Sequence, residues 1–309
     1  MLYITGITGH SGEWLLKRLA QEKHQDKIRV VMRQSQTEAP EKYELFKDSG
    51  LDLEFAVGEL EDSAFLEKSL VGVDTILHIA GITLSPKIVE AAIGCGVTWA
   101  ILVHTTGRFS KYKSASEEYI KIEDDILSKR DQINVTVLRP TMIYGSSGDR
   151  NMYRLIGYLA KHKLFPLFGD GLNLMQPVHA RDLGNAYYDV LVRKEITINK
   201  EYDLSGKSPI KYIDIIKTIK TYLNSDVRII SVPFGLSVFA AKVYNSIFGK
   251  RAIISVEQVL RMQEDKVFLH ELASKDFGYN PLSFEAGIKE EVEEYLKGIR
   301  VDFSATVYK

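Results

Sequence analysis

The stretch Thr5-Gly6-Ile7-Thr8-Gly9-His10-Ser11-Gly12 constrains this chain more than any other. It lies between an apolar strand, Leu2 to Ile4, and a helix that opens at Glu13 or Trp14. Glycines at three fixed offsets in a strand-to-helix turn have separate physical duties. Gly6 suits the tight turn, Gly9 lets backbone approach a phosphate, and Gly12 lets the new helix pack closely on the strand. The free N–H groups of the helix's first turn then face the anion. The stretch is therefore read as a cradle for the pyrophosphate of a dinucleotide.

The residues that follow extend the pattern. Trp14, Leu15, Leu16 and Leu19 give the first helix a buried side, and Ile28 to Met32 form a β-branched second strand. In such a unit the end of the second strand reads the adenosine ribose, a carboxylate favouring NAD and a cation the 2′-phosphate of NADP. Here the strand ends in Arg33, with no acid before Glu38. That sign favours NADP(H) over NAD(H), through a charge-assisted contact of about 1.5–3 kcal/mol. A solvated arginine, or one stacked on adenine, is the alternative.

Further strands are expected at Leu53–Val57, Asp74–Ile79, Ala100–Val103, Val135–Leu138 and Glu201–Leu204. Helices are expected at Ala64–Leu70 and Lys87–Ile93 between them, and a loop with a short helix over 36–50. This alternation predicts an α/β fold, a Rossmann-type doubly wound parallel sheet covered on both faces, with ligands at the carboxyl ends of its strands. Pro140 is expected to stop the sixth strand. His78 reads as a hydrogen-bonded structural histidine.

Beyond residue 145 the pattern becomes mainly helical, with helices expected at Met152–Lys161, through Ala186 and Leu191, and at Ile210–Leu223, Leu236–Ile247, Val256–Arg261 and Phe284–Ile299. The division expected is a dinucleotide-binding domain, 1–145 plus 174–206, and a smaller substrate domain, 146–173 plus 207–309. The Leu236–Ile247 helix, with Phe239, Val243, Phe248 and then Lys250-Arg251, reads either as an ordinary core helix or as a contact for a membrane surface or partner subunit.

Composition closes off other classes. The 309 residues carry a net charge of −1 with 26% charged, so nothing global draws the chain to nucleic acid. A single cysteine, Cys95, leaves no internal disulfide and no cysteine zinc cage, and is expected to be a small buried apolar residue in a reducing compartment. Nothing near Asp170 completes a metal shell. With the first strand starting at residue 2 and no long apolar run, neither a signal peptide nor a transmembrane segment is expected, and the expected location is cytoplasmic.

The G-x-x-G-x-x-G spacing, His78-Ile79-Ala80-Gly81, the Thr105-Thr106 pair, Arg139-Pro140-Thr141-Met142-Ile143-Tyr144-Gly145, Gln176-Pro177-Val178-His179 and Phe277-Gly278-Tyr279-Asn280-Pro281 together resemble the extended and atypical short-chain dehydrogenase/reductase superfamily, of the NAD-dependent epimerase/dehydratase kind. The resemblance implies cofactor contacts from Gly6, Thr8, Gly9, His10, Ser11, Gly12 and Arg33. It places Glu59-Leu60, where the family commonly has Asp-Leu, beside the adenine. Ala80 and Gly81 would run beneath the nicotinamide ribose, where lack of bulk matters, and Thr105, Pro140, Thr141, Met142 and Ile143 would flank the nicotinamide. Thr83, Asp170 of the Gly-Asp-Gly loop and Gln176 would approach a small-molecule substrate, Asp182 would cap or anchor the following helix, and a homodimer is a family-level expectation.

The family's proton-transfer pair is a Tyr-x-x-x-Lys motif that works with a Ser or Thr at the end of the fifth strand. Thr105 or Thr106 fits the latter role. No register preserves the pair. Tyr119 is followed four residues on by Glu123, and Tyr112 by Ser116; read backward from Leu138-Arg139-Pro140, Glu123 matches a family glutamate, which puts Tyr119 at the Lys position and Ala115 at the Tyr position. An unassisted tyrosine of pKa near 10 is about 0.1% ionised at pH 7, so losing its activation costs up to about 4 kcal/mol. Lys111, Lys113 or Lys121 would have to reach in from another turn of helix. Two functions stay open: an oxidoreductase or epimerase acting on a nucleotide-sugar or similar polar metabolite with Tyr119 as proton donor, or a catalytically silent NADP(H)-binding protein like the NmrA-type redox sensors or the accessory subunit of respiratory complex I.

Overall fold

The computed structural model describes residues 1–37, 46, 49–149, 151–248 and 256–307. Glu38 and Lys250-Arg251 lie outside them. Seven parallel strands form the central sheet: β1 Leu2–Thr5, β2 Ile28–Met32, β3 Leu53–Val57, β4 Thr75–His78, β5 Trp99–Val103, β6 Asn134–Pro140 and β7 Glu201–Leu204. Their spatial order is 3-2-1-4-5-6-7. The order reverses between β1 and β4, and such a reversal leaves a crevice at the carboxyl ends.

Side chains alternate across the sheet, so each strand feeds two cores. Leu2 and Ile4 of β1, with Trp99, Ile101 and Val103 of β5, pack under the helices Gly12–Gln21 and Ala180–Val192 through Leu15, Leu19, Leu183 and Tyr187. Tyr3, Ala100 and Leu102 face the other way, onto Leu66, Ile88, Val89 and Ile126. Burial on both faces explains why these strands read as continuous apolar runs. Each large aliphatic side chain buried this way contributes about 1.5–3 kcal/mol.

A third core lies in the mainly helical region. Ile156 and Leu159 of Met152–Lys161, Ile215 and Ile219 of Tyr212–Leu223, and Ile288 and Val292 of Phe284–Val307 meet there. Beside it runs an element with no clear sequence signal, a parallel pair of Leu164–Phe168 with Arg228–Val232. Pro166 sits mid-strand, where a missing N–H argues against a sheet, and a two-stranded edge tolerates it.

Several expectations need correcting. Ile210–Lys211 is a short strand paired with Leu174–Met175, so the helix there begins at Tyr212. Cys95 is only partly buried, its thiol 3.6 Å from the Glu67 carbonyl, because it follows the end of the Ser85–Gly94 helix. The Phe234–Phe248 helix is no ordinary core helix: Leu236, Phe239, Val243 and Ile247 all face solvent. Among the described residues no helix is long and apolar enough to cross a membrane.

Candidate functional site

A cleft of about 600 Å³ opens at the carboxyl end of the sheet, lined by the Gly6–Ser11 turn, the end of β2, the Glu59–Glu61 segment and the residues after β4. Gly6 has φ +74°, and a Cβ there would stand 2.8 Å from Ala80 N. A Cβ on Gly9 would stand 3.1 Å from Gly6 O, which already accepts the Gly9 N–H at 3.0 Å. Gly12 lies behind the cleft. A Cβ there would fall 2.3 Å from Gly6 O and 2.6 Å from Ile7 Cα, so its absence lets the helix sit on the turn.

Gly6, Thr8, Gly9, His10, Ser11, Arg33, Glu59, Leu60 and Ala80 all line this one cleft. Val31, Gln36, Glu61, Ile79 and Leu84 join them without having been singled out in the sequence. Gln36 had a local signal, being three residues from the strand-end arginine. Its Oε1 accepts the Arg33 N–H at 2.8 Å while its Nε2 donates to Thr8 Oγ1 at 2.8 Å, tying the ribose end to the glycine turn. The Arg33 side chain itself is exposed.

His10 Nδ1 lies 2.6 Å from Ser146 Oγ, and its Nε2 is buried without a hydrogen-bond partner among the described residues. Burial pushes its pKa below the ordinary histidine value. The cleft is thus lined by a glycine turn too tightly packed for a Cβ, and the His10 ring at its edge keeps one buried nitrogen without a side-chain or backbone hydrogen bond among the described residues. Both fit an anionic, elongated ligand such as a dinucleotide.

After β4, His78 is fully buried. Its Nε2–H donates to Gly81 O at 2.9 Å and its Nδ1 accepts from Thr5 Oγ1 at 2.6 Å, which fixes the neutral tautomer. Desolvation holds its pKa at about 4. Gly81 has φ +132°, and a Cβ there would meet nothing within 4 Å, so backbone conformation rather than bulk is what demands glycine at this position.

The residues expected to do chemistry lie at the turn after β5 and on or just before the Lys113–Leu127 helix. Thr106 Oγ1 donates its proton to Pro140 O at 3.2 Å. Thr105 Oγ1 accepts the Gly107 N–H at 3.0 Å, which leaves its own proton free to donate. A Cβ on Gly107 would touch the Tyr119 ring at 3.1 Å and Thr105 Oγ1 at 3.2 Å, so Tyr119 and Thr105 flank the same glycine. Ser116 hydrogen-bonds back to the Tyr112 carbonyl, Lys121 is paired with Glu117 at 2.7 Å, and Lys111 and Lys113 are exposed.

Behind Tyr119 lies a charged network that no local signal in the sequence displays. Glu123 is fully buried and accepts from His104 Nδ1 at 2.8 Å, from Arg139 Nε at 2.9 Å, and from Arg108. Desolvation raises its pKa, but the His104 and Arg139 donors outweigh burial and hold it at about 2. Arg139 continues to Glu201 and to Asp203.

Other expected residues sit elsewhere. Gln176 is buried with both amide ends in use, Nε2 donating to Gly206 O at 2.7 Å and Oε1 accepting from Phe268 N at 3.1 Å. Asp170 is exposed and accepts from Leu172 N at 3.0 Å, and Thr83 is exposed in the turn Ile82–Leu84. Pro140 ends β6, Ile143 packs on the first core, and Thr141 Oγ1 donates to Gln176 O. Met142 lines a second cavity of about 310 Å³ with Met152, Met175, Tyr212 and Lys266. His179, not Asp182, caps the helix it precedes; Asp182 anchors Leu282 N at 2.9 Å. Among the described residues no cluster could hold a metal ion.

Fold and cleft together define a Rossmann-type protein with a cleft at the sheet's reversal point. Residues 2–94 match the model of the NAD dependent epimerase/dehydratase family, and the resemblance to the extended short-chain dehydrogenase/reductase superfamily holds. A curated relative, the short-chain dehydrogenase/reductase family 42E member 1 of Mus musculus, is 21% identical over 205 residues, covering 61% of this chain. The chain spans about half the length of that relative, 51%. Two solved structures share the fold. One is the UDP-glucuronic acid 4-epimerase of Bacillus cereus in complex with UDP-glucuronic acid and NAD, with TM-score 0.74, 16% identity, and 96% and 99% of the two chains covered. The other is the dTDP-glucose 4,6-dehydratase of Streptomyces venezuelae with NAD bound, with TM-score 0.72, 17% identity, and 96% and 97% covered.

Proposed function

We propose that this chain is an NAD(P)-dependent oxidoreductase or epimerase acting on a nucleotide-sugar or similar polar metabolite, with NADP(H) as the preferred cofactor. The observation that carries the reading is the single cleft that gathers the glycine turn, Arg33, the Glu59-Leu60 pair and Ala80 at the sheet's reversal point. The substrate class follows the two neighbours named above and is the part to be screened. The cofactor would supply hydride transfer. The chain's own residues would do the rest: the Gly6–Gly12 turn would hold the pyrophosphate, Thr105 would donate its free proton to the reacting oxygen, and Tyr119, beside it on Gly107, would transfer the proton.

Arg33 supports the NADP(H) preference, as the one Lys or Arg among the described side chains lining the cleft. Calorimetric titration of cofactor-stripped protein with NADPH and NADH tests this. The expected result is a preference of roughly tenfold to hundredfold for NADPH that disappears in Arg33→Ala. Equal binding of the two cofactors by the unaltered protein overturns the preference, and binding of neither overturns the cofactor reading.

A further inference from the structure

The Phe234–Phe248 helix is built inside out. Its two buried side chains among the described residues are small, Ser237 and Ala241 at 7% and 8% exposed, while Leu236, Phe239 and Ile247 are 59%, 64% and 70% exposed. With Val243, these residues recur at intervals of three, four and four, which keeps them on one stripe of the helix. Scattered exposed apolar residues are ordinary; four large ones aligned on a single helix face are not.

Charge around the stripe narrows what covers it. From residue 227 to residue 256 the sequence has no Asp or Glu and four bases, Arg228, Lys242, Lys250 and Arg251, in a chain whose net charge is only −1. Among the described residues, Lys242 is exposed beside the stripe, and the strand leading into the helix exposes Arg228 and Ile230. A second copy paired across the same face would set these cations against their own images, which opposes association. An apolar stripe whose own helix and preceding strand carry bases and no acid matches the headgroup boundary of an anionic bilayer.

We propose that the Phe234–Phe248 helix docks on an anionic lipid surface, with Leu236, Phe239, Val243 and Ile247 entering the acyl boundary and the neighbouring bases meeting the headgroups. The helix lies in the plane of the surface and does not cross it. Because none of these residues lines the cofactor cleft, the docking stands independently of the enzymatic reading.

The test is flotation of the full chain with vesicles of phosphatidylcholine containing about 30% phosphatidylserine, against phosphatidylcholine alone. The full chain is expected to float with the anionic vesicles, and to be released as salt rises from about 0.1 M to about 1 M. The double variant Phe239→Ser/Ile247→Ser is expected to lose about tenfold or more in partitioning, and Lys242→Glu to lose part. Unchanged circular dichroism of the variants verifies their fold. No flotation by the unaltered chain, or equal flotation with neutral vesicles, overturns the proposal. So does a homodimer in ultracentrifugation that the double variant dissociates without any vesicle binding, which would assign the stripe to a second copy.

Discussion

At the residue scale, the glycine turn was legible because its reasons are local. A Cβ on Gly9 or Gly12 would meet backbone atoms within six residues, and Gly6, whose Cβ would meet the Ala80 backbone, sits in a tight turn with φ +74°. Tyr119 was not legible in the same way. Its ring lies against Gly107 of the turn after β5, a contact across 12 residues that no local pattern displays. Gly12 yields a direct prediction. An alanine Cβ would lie 2.3 Å from Gly6 O, far inside any contact real side chains make, and backbone must move to relieve it. Gly12→Ala is expected to destabilise by about 1–3 kcal/mol in urea unfolding and to weaken NADPH in calorimetry. Gly148→Ala, whose nearest neighbour would be 3.5 Å away, is the control expected to leave both nearly unchanged. Wild-type stability and affinity in Gly12→Ala would remove the close-packing role.

At the element scale, the sheet was readable because both of its faces are buried and its strands carry their own signature. The Leu164–Phe168 and Arg228–Val232 pair was not, since its partners are 64 residues apart in register and one contains Pro166. The last helix, Phe284–Val307, is tied to the loop after β6 by side chains that sequence alone does not bring together. Gly145 N donates to Glu291 Oε2 at 3.0 Å and Ser147 N to Glu294 Oε1 at 3.0 Å. Glu291 is fully buried and its Oε1 has no partner among the described residues. Burial, and then the nearby Asp149 and Glu294, push its pKa to about 8 from 4.5. The folded state therefore binds a proton that the unfolded chain releases above pH 4.5. Stability from this group is present below that pH and is lost as pH rises toward 8, by up to about 4 kcal/mol. Glu291→Gln keeps the acceptor for Gly145 without the titration. Its melting temperature is expected to exceed that of the unaltered protein at pH 8 and to match it near pH 4.5; an equal difference at both would refute a neutral Glu291.

At the scale of the whole molecule, these contacts join the proposed cofactor cleft to the helical region. His10 of the glycine turn meets Ser146, and the residues on either side of Ser146 meet Glu291 and Glu294 of the last helix. A ligand held only by the folded cleft stabilises everything that must be folded to form it, by about 2.7 kcal/mol at a hundred times its dissociation constant. If the turn and the last helix open together, NADPH should slow amide hydrogen exchange in residues 284–298 as well as around the turn. Ser146→Ala removes the His10 contact and leaves the Gly145 and Ser147 backbone donors in place. It is expected to preserve NADPH protection of the turn while reducing that of the last helix. Protection confined to the turn and the sheet in the unaltered protein would show that the two regions open separately, with the 145–149 loop a passive connection. Protection that spreads to the helix unchanged in Ser146→Ala would route the coupling through other ties between the sheet-covering helices and the C-terminal region, such as the hydrogen bond from Leu282 N to Asp182.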